Sequence, residues 1–146
     1  MLKLERVQRR AMRMLVGMEG REYEEKLEEV GLTTLFERRV RGDMIETYKT
    51  LRGVNRVRKE EWFEIQEEEM RPTRSNAVVI EGEAVKKREV IVPQRCNLEI
   101  RKNFFTVRAA NEWNQLPDAV KASVSVNAFK NAYDGWRRAK KSENGS

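Results

Sequence analysis

Apolar residues recur at three- and four-residue steps along most of this chain, and the runs end on glycines, prolines or polar caps, which is the signature of successive amphipathic helices. Leu4, Val7, Ala11, Met14 or Leu15, and Met18 predict a helix over 2–16 with one apolar stripe, closed by Gly17 and Gly20. Arg6, Arg9, Arg10 and Arg13 fall on the opposite and flanking faces as a basic ridge. A short acidic helix over 22–30 should bury Tyr23, Leu27 and Val30 and stop at Gly31. Thr34 with Glu37 three residues later is a capping box, in which hydroxyl and carboxylate satisfy the orphan N–H groups of a helix start. The third helix then runs to about 52 on Phe36, Val40, Met44, Ile45, Tyr48 and Leu51, and Gly53 closes it.

Beyond 54 the pattern weakens. A short helix over 60–65 is anchored by Trp62 and Phe63, before Glu67, Glu68, Glu69 and Pro72 break the register. Residues 77–80 and 90–92 read as short strands from their β-branched content, with Glu81 and Gly82 as the turn, and Leu98 and Ile100 alternate as a third extended piece. Asn103 caps a helix over 104–115 whose Phe105, Ala109 and Trp113 share a face with Leu116, and Pro117 ends the run. Ser125 caps a last helix on Val126, Phe129, Tyr133 and Trp136, leading into Arg137, Arg138, Lys140 and Lys141. The expected fold is mainly α: a small helical domain with a short β-hairpin or extended insertion between its N-terminal and C-terminal helices. Its organisation reads as a three-helix segment over 1–54, a polar acidic linker over 55–76, short strands and two helices over 77–141, and a disordered tail over 142–146.

Charge and composition narrow the function. Net charge of +6 in 146 residues favours a polyanionic partner, while 37% charged residues leave only a modest core. The absence of histidine removes the usual general base and the commonest transition-metal ligand. One cysteine, Cys96, makes neither an internal disulfide nor a zinc site, which fits a reducing intracellular compartment, cytoplasmic or nuclear. No apolar run approaches the roughly 18 residues that span a bilayer, so no membrane partner is expected. Nothing suggests a cofactor: Glu67 to Glu69 lack the alternating ligand positions of a calcium loop and read as a solvated patch.

The segments RKNFF at 101–105, WNQLP at 113–117 and SVNAFK at 125–130 resemble the extreme C-terminus of reverse transcriptases from non-LTR retrotransposons of the jockey-like kind. LERVQRRAMRML at 4–15 and YEEKLEEVGLTTLFERRVRGDMIETYK at 23–49 precede them in the order those polymerases show, whereas 55–97 departs from the pattern. The resemblance implies a part of an RNA-directed DNA polymerase beyond its catalytic palm, helping to hold template RNA or an RNA–DNA hybrid beside the rest of the enzyme. The leading Met would fit a reading frame from an element truncated upstream. The palm's Tyr-x-Asp-Asp turn has no counterpart: Asp43, Asp118 and Asp134 are isolated singles, and two-metal chemistry needs carboxylates converging on ions about 4 Å apart. The chain is therefore expected to be non-catalytic.

Three basic features are candidates for nucleic-acid contact. The first is the ridge of Arg6, Arg9, Arg10 and Arg13, continued by Arg38, Arg39 and Arg41, since guanidinium groups grip phosphate oxygens bidentately. Its bland counterpart is a solvated face paired to Glu22, Glu24, Glu25 and Glu28. The second is Arg101 and Lys102 before Phe104 and Phe105, with Arg108 one turn on, where rings could stack bases; Phe105 and Trp113 at helical spacing read more simply as core. The third, Arg137 to Lys141, either touches nucleic acid, serves as a weak nuclear-targeting patch or favours the negative end of its helix dipole. A rival reading is a non-enzymatic interaction protein that binds a partner helix through the apolar face of its first helix.

Overall fold

The computed structural model describes residues 2–69 and 87–144. It is mainly helical with one two-stranded antiparallel sheet, in the order α1 (Leu2–Arg13), α2 (Tyr23–Glu29), α3 (Leu35–Leu51), α4 (Lys59–Trp62), β1 (Ile65–Glu69), β2 (Lys87–Ile91), α5 (Glu99–Lys102), α6 (Phe105–Asn114), α7 (Asp118–Lys121) and α8 (Val126–Asn144). Two compact units divide the chain, 1–43 and 44–146, and the backbone of α3 runs through both.

In the first unit the helix boundaries follow from capping chemistry. At the start of α3 the Glu37 amide donates to Thr34 Oγ1 (3.1 Å) and the Thr34 amide donates to Glu37 Oε2 (3.2 Å), the reciprocal pair expected of a capping box. At the end of α2, Gly31 takes φ +68°. Leu32 N then donates to Leu27 O (2.7 Å) and Gly31 N to Glu28 O (3.0 Å), which satisfies two carbonyls that the helix leaves orphaned. A small cluster of Met12, Tyr23 and Leu27, with Leu15 against it, holds α1 to α2. Helix α1 ends at Arg13, three residues short of the expected 16, where Met14 N closes a turn onto Ala11 O (3.0 Å). Val30 and Phe36, both assigned to buried faces by spacing, are exposed.

The second unit has the larger core, built from Met44, Tyr48 and Leu51 of α3, Phe63, Ile91 of β2, Ala109, Ala110 and Trp113 of α6, Leu116, Val120 of α7, and Phe129 and Tyr133 of α8. Phe129 sits at its centre, stacked on Tyr48 (4.5 Å between centroids), Trp113 (5.9 Å) and Tyr133 (6.1 Å). Ser125 caps α8 as expected, with Oγ accepting from Ala128 N at 3.1 Å. That helix runs on through 142–144, which the sequence had as disordered tail.

The hairpin differs from the expected one. Its first strand is β1, in the segment read as linker, and it pairs antiparallel with β2 in the register Ile65↔Ile91 to Glu69↔Lys87. Along the backbone the register sets Glu67, Glu68 and Glu69 opposite Glu89, Arg88 and Lys87. The strand expected over 77–80 and its turn lie outside the described residues. Leu98 and Ile100 do not form an extended piece: Ile100 lies within α5 and Leu98 is its N-cap. Asn103 ends α5, and the cap of α6 is Phe104.

Candidate nucleic-acid interface

At about 100° per residue, the wheel of α1 divides into three sectors. Glu5, Gln8 and Met12 occupy one, which faces the rest of the first unit, and Leu15, just beyond the helix, packs against the cluster there. The Glu5 carboxylate accepts from the Tyr23 hydroxyl (2.7 Å) and from Leu35 N at the start of α3 (3.1 Å), while Gln8 Nε2 donates to Thr33 O (3.1 Å). These bonds fix the rotation of α1. Burial, with Glu5 as hydrogen-bond acceptor and adjacent charge, pushes the Tyr23 phenol up to about 12.

The second sector spans roughly 120° and holds Lys3, Arg6, Arg9, Arg10 and Arg13, all exposed. Arg9, at its inner edge, lies over the Tyr23 ring (4.4 Å to the centroid) and 3.8 Å from Glu24. Among the described residues, Arg6, Arg10 and Arg13 make no ion pair, so four fifths of the ridge, counting Lys3, presents bare cations. Lys3 belongs to this sector by the same wheel arithmetic, although the sequence reading passed over it.

The third sector is the apolar stripe of Leu4, Val7 and Ala11, continued by Met14 in the turn that follows, and it is turned away from the rest of the first unit. Leu4, Val7 and Met14 are 62%, 66% and 78% exposed. The amphipathic pattern was right, yet the buried side of α1 is the one carrying Glu5 and Gln8.

The remaining candidates fare differently. On α3, Arg38 is exposed, whereas Arg39 and Arg41 are half-buried and have partners of their own. Arg38 and Arg41 lie about 60° apart and Arg39 about 160° from Arg41, so the three do not share one face. In the second unit, Arg101 is exposed on α5 beside Phe104, which is 61% exposed; Lys102 closes that helix. The Arg108 guanidinium turns back to donate to Asn103 O. Phe105 packs edge-on against Trp62 (5.9 Å) and Phe63 (5.8 Å), and Trp113 is buried, as their spacing suggested. Of the C-terminal run, Lys140 lies over the Trp136 ring (4.9 Å) and donates to Gln115 (3.2 Å), and Arg138 donates to Asp134 O (3.3 Å).

The WNQLP segment is a structural joint. Asn114 clamps the backbone of β2 with its amide, accepting from Ile91 N (3.0 Å) and donating to Ile91 O (2.7 Å). Trp113 and Leu116 fill the core beside it, and Pro117 is the N-cap of α7, a helix the sequence reading did not foresee.

Comparison with known protein families, curated proteins and solved structures finds no match.

A cleft of about 560 Å³ opens beside α4 and β1, lined by Lys59, Glu60, Glu61, Trp62, Glu64, Glu67 and Glu89 among others. Lys59 is drawn to Glu89 at 3.8 Å, so the lining is acidic and repels phosphate. Among the described residues, no group of three His, Cys, Asp or Glu side chains is placed to hold a metal ion, and no helix is long and apolar enough to cross a membrane.

Proposed function

We propose that the chain is a non-catalytic RNA-binding module, of the kind that lies beyond the palm in the RNA-directed DNA polymerase of a non-LTR retrotransposon, and that it holds template RNA or an RNA–DNA hybrid on α1. One observation carries the reading: Lys3, Arg6, Arg10 and Arg13 line one side of α1, exposed and without an ion pair among the described residues. From Lys3 to Arg13 the helix rises about 15 Å. Four cations spread over that length can grip three to four phosphates of one strand. Because the WNQLP residues serve the core, the parts of the chain that resemble the polymerase divide into a scaffold in the second unit and a charged helix in the first.

The test is a filter-binding titration of the full chain with single-stranded RNA at two salt concentrations. Three to four phosphate contacts at about 0.7 counterions each predict a log–log slope of about −2 to −3, hence a loss of about 20- to 50-fold for a fourfold rise in salt. Arg6→Glu/Arg10→Glu/Arg13→Glu should abolish binding without unfolding the unit, because these side chains are exposed and make no ion pair among the described residues. Arg9 is left in place, since it packs on Tyr23. A chain that ignores RNA in dilute buffer, or a triple variant with the wild-type slope, would refute the proposal.

A further inference from the structure

The outward stripe of α1 supports a conclusion that does not depend on RNA. We infer that Leu4, Val7, Ala11 and Met14 form a docking strip for an acidic amphipathic helix of a partner. The basic sector of α1 has two edges. At the inner edge, Arg9 meets Glu24 while Met12 and Leu15 pack on Tyr23 and Leu27, so an acidic amphipathic helix, α2, already sits there with its apolar face against α1 and one carboxylate, Glu24, against the arginine. The outer edge repeats these components: Lys3 and Arg10 border Val7 and Met14 as Arg9 borders Met12. At this edge the apolar side chains are exposed and Arg10 has no ion pair among the described residues.

The same geometry selects against other occupants. A second copy of α1 would bring five cations and one carboxylate against an identical set, and in an antiparallel pair the basic edge would face itself. A nucleic-acid strand satisfies the cations and leaves the aliphatic stripe in water, since Leu, Val and Met offer no ring for a base to stack on. A helix with Leu or a similar residue at three- and four-residue steps, bordered by Glu or Asp, satisfies both. Its carboxylates would take Lys3 and Arg10, so such a partner and RNA would compete for one edge of α1, while only the partner uses the apolar stripe.

The test uses the full chain and a fluorescein-labelled helical probe about 18 residues long, enough to hold a helix, with Leu at three- and four-residue steps and Glu beside them. Anisotropy should give micromolar affinity. Val7→Ser/Met14→Ser should weaken it at least tenfold and leave RNA affinity unchanged, and a probe with Glu replaced by Lys should also lose at least tenfold. Both substituted side chains are exposed, and circular dichroism of the variant verifies the fold. No probe binding at 100 µM overturns the inference, as does equal binding of a probe whose Leu are Ser. A wild-type dimer dissolved by the double variant would assign the strip to self-association, and flotation with anionic phospholipid vesicles lost in that variant would assign it to a lipid surface; either result overturns the helix partner. Loss of RNA binding in Arg6→Glu/Arg13→Glu, which leaves Lys3 and Arg10 in place, with the probe still docking would leave the two conclusions separately standing.

Discussion

The clamp that Asn114 places on β2 makes a quantitative prediction about the second unit. Ile91 is 2% exposed, and its N–H and C=O point away from β1, so they have Asn114 where a sheet would offer another strand. Asn114→Leu keeps the branched shape and number of heavy atoms of the side chain and removes both partners. Each buried backbone group left unsatisfied costs about 1–3 kcal/mol, giving about 2–6 kcal/mol for the pair. That is a large share of the roughly 5–15 kcal/mol that holds a domain together. Asn114→Ala opens space for water to replace the amide and should fall near the lower end of the same range. Asn114→Asp keeps the acceptor for Ile91 N but sets a second acceptor against Ile91 O, so it should not rescue. Urea unfolding supplies the free energies, and hydrogen exchange at the Ile91 amide supplies the local reading. The amide should lose protection beyond what global destabilisation explains. Should Asn114→Leu lie within about 0.5 kcal/mol of wild type with Ile91 protection unchanged, the clamp contributes nothing and the account of the WNQLP segment as a structural joint is wrong.

Two further outcomes test the first unit. Because the Tyr23 phenol is raised from its ordinary 10 to about 12, the stability of its neutral form is present in full below pH 10 and is lost as pH rises through 12. An NMR titration of the Tyr23 ring carbon should show this shift, and Glu5→Gln should bring the titration down by removing the neighbouring charge; an unmoved value in Glu5→Gln would contradict the contact. Thr34→Ala removes the hydroxyl that caps α3 and should cost about 1 kcal/mol in thermal unfolding, with Thr34→Ser restoring it.

Local chemistry made much of the fold legible. Thr34 and Glu37, Ser125, Gly31 and Gly53 mark helix ends through bonds that close within a few residues, and those ends lie where the sequence puts them. Trp113, Phe129 and Tyr133 are buried as their spacing requires. The strand pairing was not legible, because β1 is a run of Glu whose identity as a strand comes from Lys87 to Ile91 across a gap in sequence. Of the candidate interface, the clustering of arginines on α1 could be read directly, but not which of them have partners: Arg9 is engaged with Tyr23 and Glu24, while Arg6, Arg10 and Arg13 make no ion pair among the described residues.

Alone, the order of residues determined that α1 is a helix, that it is amphipathic, and that its cations gather on one side. Its orientation was decided by tertiary structure. A buried tyrosine hydroxyl and the orphan amide at the start of α3 both need an acceptor, and Glu5 supplies it only by facing inward. Turning Glu5 inward carries Met12 in with it and sends Leu4, Val7 and Met14 out to water. Periodicity counts apolar positions and cannot count a hydrogen bond that two distant segments make to one carboxylate.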